Sequence, residues 1–240
     1  MTDEKALQLI AEANDTVFDG NYNLIANLDY IVISADKFGA ALTNTPGGSY
    51  LGKNLLTMTN DEWRTDIYRK SLEYCKQTRL NKQWLSLKFA RKPEYWLIII
   101  NFQPLVNYAT NNVIGYKITG RVPENIMLPF FGLKEIIKES QPRKRKLEGK
   151  TEEWLTNREH EILFLLFNCD TYQHIANLLS LSHQINYTSS MVAKIVNRNL
   201  YIKFNVSNLE NLKKLAYQMG YHKNIPASLF GEFMLPLNKL

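Results

Sequence analysis

The run Leu155-Thr156-Asn157-Arg158-Glu159-His160-Glu161-Ile162-Leu163 constrains this chain more than any other stretch. Thr156 followed three residues later by Glu159 is a capping box. The hydroxyl accepts from a free amide of the first helical turn, and the carboxylate reaches back to the amide of the cap. Apolar residues at 162, 163, 165, 166 and 167 then predict a helix with a wide buried face. Asn168-Cys169-Asp170 interrupts it, and Thr171 opens a second short helix carrying Ile175, Ala176, Leu178 and Leu179. Two short helices with a small alanine at their crossing describe a helix-turn-helix.

The wording of the stretch resembles the LuxR-type family more closely than the general motif. Leu155-Thr156-x-Arg158-Glu159-x-Glu161-Ile162-Leu163 and Ile175-Ala176-x-x-Leu179 stand intact, and Lys203-Phe204-Asn205-Val206 takes the place of the closing Lys-Leu-x-Val. Between them the chain departs from the pattern. Counting back from Val206 starts the third helix at Ser189, whereas the family would start it at Ser182, so seven extra residues, about 183–189, enlarge the turn. With the third helix set at Ser190 to Phe204, Ala193, Val196, Leu200 and Phe204 fall inward. Ser190, Met191, Lys194, Asn197, Arg198 and Tyr201 fall outward. The resemblance implies that this outer face, with Thr171 at the start of the second helix, contacts double-stranded DNA. Arg and Asn suit base edges, and Lys and Tyr suit phosphates. Asn186, Tyr187 and Thr188 in the enlarged turn are further candidates for backbone contact. A fourth helix, Leu209 to Met219, corresponds to the piece that pairs two copies in LuxR-type dimers, which implies a homodimer.

Charge points the same way. Residues 1–133 carry 14 Lys/Arg and 13 Asp/Glu, whereas residues 134–240 carry 15 and 10, so the excess lies on the helix-turn-helix side, as polyanion binding favours. No apolar run is long enough to span a bilayer, and Met1 to Asn14 has no signal-peptide core. Two cysteines, Cys75 and Cys169, build no disulfide framework and fit a reducing cytoplasm. No Ser/His/Asp or Cys/His grouping, zinc spacing or carboxylate pair supports an enzyme.

Residues 21–122 present a different pattern. Two short β-rich runs, Asn23 to Asn27 and Tyr30 to Ser34, flank a turn at Asp29. Helical stretches follow around 36–42 and 61–77, and three longer β-rich runs, 83–90, 95–106 and 113–122, close the region. This order is similar to a PAS domain. The likeness rests on Asn27-x-Asp29, Leu51-Gly52-Lys53, Pro104 and Asn112-Val113-Ile114-Gly115-Tyr116. It implies an α+β fold, a five-stranded antiparallel sheet with flanking helices on one face, joined to an all-α LuxR-type domain. Such domains often hold a ligand between sheet and helices. All four histidines, His160, His174, His183 and His222, lie in the other half, so a histidine-bound haem is excluded here. In haem-binding PAS proteins the ligand position in the long helix corresponds to Tyr68. A phenolate there, or Cys75 as thiolate, is the candidate haem ligand. A flavin or small organic ligand is the other option. Light sensing is disfavoured, because no cysteine lies where photoactive flavin domains form their adduct. Pro46-Gly47-Gly48-Ser49 lacks the Lys-Ser/Thr of a P-loop.

The chain thus divides into an N-terminal helix (1–20), a PAS-like domain (21–122), a connector (123–150), a helix-turn-helix domain (151–220) and an apolar tail (221–240). The connector predicts a helix over 127–139, with Leu128, Phe130, Phe131, Leu133, Ile136 and Ile137 available to pair with a second copy. The basic run Arg143-Lys144-Arg145-Lys146 that follows suits phosphates or a solvated linker. The tail carries too many apolar side chains to stay free and should dock on one of the domains. The expected function is a one-component DNA-binding transcription regulator. The alternative is a haem or small-molecule sensor acting through protein contacts.

Overall fold

The computed structural model describes residues 1–16, 22–36, 50–58, 61–89, 95–123, 130–140 and 154–237. The chain divides into two compact units, chiefly Met1–Ser86 with Trp96–Pro123, and Glu124–Leu235 with Leu87–Tyr95. The basic run Arg143, Lys144, Arg145 and Lys146, the expected helix at 36–42 and the segment Pro46 to Ser49 lie outside the described residues.

In the first unit α1 (Asp3–Thr16) leads into the hairpin β1 (Tyr22–Ala26) and β2 (Val32–Ala35). Asn27 makes the hairpin turn. Its Oδ1 accepts from the amides of Asp29 at 3.0 Å and Ile31 at 2.9 Å, and Tyr30 takes φ 64°. A 3-10 turn at Leu55–Thr57 and α2 (Glu62–Thr78) follow, then β3 (Lys82–Phe89), β4 (Tyr95–Asn107) and β5 (Asn112–Arg121). The sheet runs β2-β1-β5-β4-β3, and a strand of the tail, β6 (Phe233–Pro236), adds a sixth place beyond β3 where five strands are expected.

The two faces of this sheet are covered by different helices, whereas the family likeness puts helices on one face. Phe102 pairs with Ile118 in the β4–β5 register, and α2 covers this side: the Tyr68 ring meets Phe102 edge-on at 5.1 Å. Side chains alternate along a strand, so Gly115 belongs to the opposite side. There α1 packs so closely that a Cβ on Gly115 would sit 2.9 Å from Leu7 Cδ1 and 2.6 Å from the Ala26 carbonyl oxygen. Asp3 ties the start of α1 to the β4–β5 turn, accepting from Asn107 Nδ2 at 2.6 Å, Thr110 Oγ1 at 2.5 Å and Asn112 Nδ2 at 2.9 Å. Those bonds hold its carboxyl below the usual carboxylate range.

The second unit contains α3 (Phe130–Glu139), α4 (Asn157–Asn168), α5 (Tyr172–His183), the long helix α6 and α7 (Leu209–Gln218). α6 starts as Ser189–Ile195, passes through a π turn at Val196–Leu200 and ends in Tyr201–Lys203. The capping box is present as expected. Glu159 N donates to Thr156 Oγ1 at 3.3 Å, and Thr156 N donates to Glu159 Oε2 at 2.7 Å. α3 packs on α5 with Leu133 and Ile136 fully buried, so this part of the connector's apolar stripe is covered within its own chain, while Ile137 stays half-exposed.

The first part of the tail, Tyr221 to Phe230, docks within this unit. Phe230 meets Phe164 of α4 at 6.0 Å, Ser182 Oγ of α5 donates to the Leu229 carbonyl at 2.7 Å, and His160 Nε2 lies 3.1 Å from the Asn224 carbonyl. Tyr221, Leu229 and Phe230 are buried. Among the described residues no helix is long and apolar enough to cross a membrane.

Candidate nucleic-acid interface

α6 is capped one residue earlier than the sequence pattern suggests. Thr188 accepts from the Met191 amide at 3.3 Å and Ser189 is the first helical residue. The inner stripe is Val192, Val196, Leu200 and Phe204; Ala193, expected inward, is only half-buried. α6 ends where Asn205 turns left-handed, at φ 50°, with Asn205 N donating to the Ile202 carbonyl at 3.1 Å and Val206 N to the Tyr201 carbonyl at 2.9 Å. This pair of bonds is a Schellman cap, and an asparagine tolerates the left-handed position. It accounts physically for Lys203-Phe204-Asn205-Val206.

Ser190, Met191, Lys194, Asn197 and Arg198 are all exposed, so one polar, cationic surface of α6 points to solvent. Tyr201 is half-buried and lies close to Tyr172 of α5, whose hydroxyl is pushed up by burial and by this neighbour. Thr171 is exposed, but its hydroxyl is already used to accept from His174 N at 3.1 Å, capping α5. The enlarged turn resolves into an α5 that extends through His183 and a five-residue link, 184–188, in which Gln184 is left-handed at φ 55°. Asn186 and Thr188 are exposed, while Tyr187 is anchored, its amide donating to Ser180 Oγ at 2.9 Å.

Two buried carboxylates of α4 position these pieces, and sequence reasoning treated them only as part of a cap. Glu159 accepts from Lys203 Nζ at 2.7 Å and Asn199 Nδ2 at 3.0 Å, both on α6. Lys203 Nζ also donates to the Trp154 carbonyl. Burial alone would raise the Glu159 carboxyl, but the bonds from Lys203, the Thr156 amide and Asn199 outweigh it and hold the group below its ordinary range. Glu161 accepts from Arg158 Nη1 at 2.5 Å and lies 3.1 Å from His183 Nε2 at the end of α5. The Arg158 guanidinium in turn sits 4.5 Å over the Tyr187 ring. One carboxylate therefore fixes the end of α6, and its neighbour two residues on fixes the enlarged turn. The signal for both was the Arg-Glu-x-Glu wording together with Lys203.

The candidate haem ligands lie on α2. Cys75 is fully buried, its Sγ donates to the Phe102 carbonyl at 3.4 Å, and burial pushes the thiol up to about 11. Burial raises the Tyr68 hydroxyl as well, against the smaller opposing effect of Arg64. Cys75 is thus bonded to the β4 backbone, and the Tyr68 ring packs edge-on against Phe102. No group of three or more possible metal-binding side chains occurs among the described residues.

No family model matches the chain, and no curated protein matches it. Among solved structures it is similar to VqmA of Vibrio cholerae in a complex with ligand and DNA, at 17% identity, with 96% of this chain and 95% of that chain covered and a TM-score of 0.64. It is equally similar to a phage VqmA in complex with DPO, at 18% identity, 98% and 97% coverage and a TM-score of 0.64. At such identities the likeness is one of fold, and it extends over both units.

Proposed function

We propose that the chain is a one-component transcription regulator whose second unit binds double-stranded DNA and whose first unit senses a ligand or pairs two copies. One observation carries the reading. Val192, Val196, Leu200 and Phe204 turn α6 inward along one stripe, leaving Ser190, Met191, Lys194, Asn197 and Arg198 together in solvent. α5 and α6 pack as consecutive helices joined by the link 184–188, and in such a pair the second helix enters the major groove with side chains of this kind on its free face. The similar fold of VqmA, described with ligand and DNA, supports the same assignment. A homodimer follows from the geometry of recognition, since two copies read two half-sites. For the first unit we favour a small organic ligand over haem, because the Tyr68 ring is packed on Phe102 and the Cys75 thiol is bonded to the Phe102 carbonyl.

The test is binding to a pool of random duplexes across a salt series. Specific binding gives an enriched sequence and an affinity that falls with salt as phosphate contacts release counterions. Absence of any enriched sequence at every salt concentration would refute the reading. Titration with hemin addresses the ligand. No Soret shift is expected; a shift abolished by Tyr68→Phe or Cys75→Ala would restore haem. Light scattering of the eluting protein reports the oligomeric state, for which a dimer mass is expected.

A further inference from the structure

The inner stripe of α6 advances by four residues three times, through Val192, Val196, Leu200 and Phe204. At 3.6 residues per turn each such step overshoots by about 40°, so three steps would carry the stripe about 120° around a regular helix. Phe204 would then leave the core. It does not, because the turn Val196–Leu200 is widened: the Tyr201 amide donates to the Val196 carbonyl, five residues back. One residue fewer in this turn would give steps of four, three and four, which a regular helix buries without adjustment.

The surplus residue appears on the outside. Between Val196 and Leu200 the helix exposes Asn197, Arg198 and Asn199, where a step of three leaves room for two. Asn199 is drawn back to Glu159 at 3.0 Å, which leaves Asn197 and Arg198 directed outward beside Lys194. A π turn inside an α-helix is a local departure that marks functional positions in many proteins. Packing does not call for this one, since the shorter spacing would pack the same four side chains.

We propose that the π turn at Val196–Leu200 is a specificity-determining element, an extra residue in the reading helix that places Asn197 and Arg198 against the base edges. This rests on the reading that the second unit binds duplex DNA. It assigns discrimination between sequences to the geometry of one turn, with Arg198 suited to a guanine edge and Asn197 to an adenine edge.

The experiment compares the full-length protein, a deletion of Asn197 and Asn197→Ala, each by thermal melting and by selection from random duplexes. The deletion should melt at the wild-type temperature or above it, because it restores the four-three-four stripe. It should also lose about tenfold or more in affinity for the wild-type sequence, or enrich a different one. Asn197→Ala keeps the wide turn and should enrich the wild-type sequence with a smaller loss. A deletion that binds the same sequence within about twofold of Asn197→Ala would overturn the proposal, as would a deletion that fails to fold, since the stripe argument would then be wrong. A wild type with no sequence preference would refute duplex recognition itself, a failure readily told apart from the other two.

Discussion

The start of α4 and the centre of the sheet around Phe102 both bury polar groups, and they handle them in opposite ways. At α4, Glu159 meets Lys203 and Asn199 of α6, and Glu161 meets Arg158 of its own helix and the His183 ring of α5. Around Phe102 the buried Cys75 thiol and Tyr116 hydroxyl are pushed toward their neutral forms, while the one buried cation described on α2, Arg64, donates to Ser86 Oγ at 2.9 Å. Cys75 donates a hydrogen bond to a carbonyl oxygen, and the Tyr116 hydroxyl, whose ring stacks on Tyr30 at 5.9 Å, has no hydrogen-bond partner among the described residues. A buried charge that is bonded from several elements fixes their mutual placement, and removing one member leaves the rest exposed to a large penalty. A buried neutral group specifies little and costs little when removed. The region that must hold a helix in register has the first kind of interior. The region proposed to accept a ligand has the second.

Four measurements would break or sharpen this contrast. Glu159→Ala should have the largest effect, a loss of about 3 kcal/mol in urea unfolding, since it removes a cap bond and leaves Lys203 unpaired near the Trp154 carbonyl. A change below about 0.5 kcal/mol would show that the carboxylate is incidental.

Next comes Arg198→Ala, with Lys194→Ala beside it. Each should weaken duplex binding, by about 1–3 kcal/mol if a base contact is lost, with an unchanged melting temperature because both side chains are exposed. Loss of a phosphate contact would instead reduce the salt slope by about one. Unchanged binding in both variants would place the reading face elsewhere.

The third concerns pH. The Glu159 carboxyl is depressed in the folded state, so its contribution is complete above the unfolded value of about 4.3 and is lost as pH falls through the lower folded value. Tyr116 behaves in the opposite sense. Burial pushes its hydroxyl up to about 12, so its contribution holds below the ordinary value of about 10 and is lost as pH rises through the folded one. Stability measured against pH should therefore lose its acid slope in Glu159→Gln and part of its alkaline slope in Tyr116→Phe. An acid slope unaltered by Glu159→Gln would mean that another carboxylate governs it.

The smallest effect is expected at neutral pH for Tyr116→Phe, a gain of at most about 1 kcal/mol from removing a buried hydroxyl that lacks a partner. A loss of more than that would reveal a bonded hydroxyl and weaken the contrast.

What could be read in the sequence was local. The capping box, the helices of 157–168 and 172–183 and α1 follow from spacing and cap chemistry, and the structure shows them nearly residue for residue. The register of α6 was off by one because a π turn has no residue signature. Its trace was the unbroken four-residue spacing from Val192 to Phe204, visible only once Val192 replaces Ala193 in the stripe. The partners of Glu159 and Glu161 were out of reach for another reason. Apart from Arg158 and Thr156 they lie 22 to 44 residues away along the chain, and no periodicity connects such positions. The same holds for the tail, whose apolar content announced a docking site without indicating its address. At Tyr68 and Cys75, helical spacing placed both on one face, but protonation is set by surroundings that composition does not record.

The seat of the tail has a practical corollary. Phe230 lies against Phe164, and the Leu229 carbonyl accepts a hydrogen bond from the Ser182 hydroxyl, so buried residues beyond Gly220, Tyr221, Leu229 and Phe230 among them, complete the packing of these helices. A fragment cut at Gly220, where the motif ends, would bare the backs of both scaffold helices and be prone to self-association. Anyone isolating the reading head should carry the clone through Leu235.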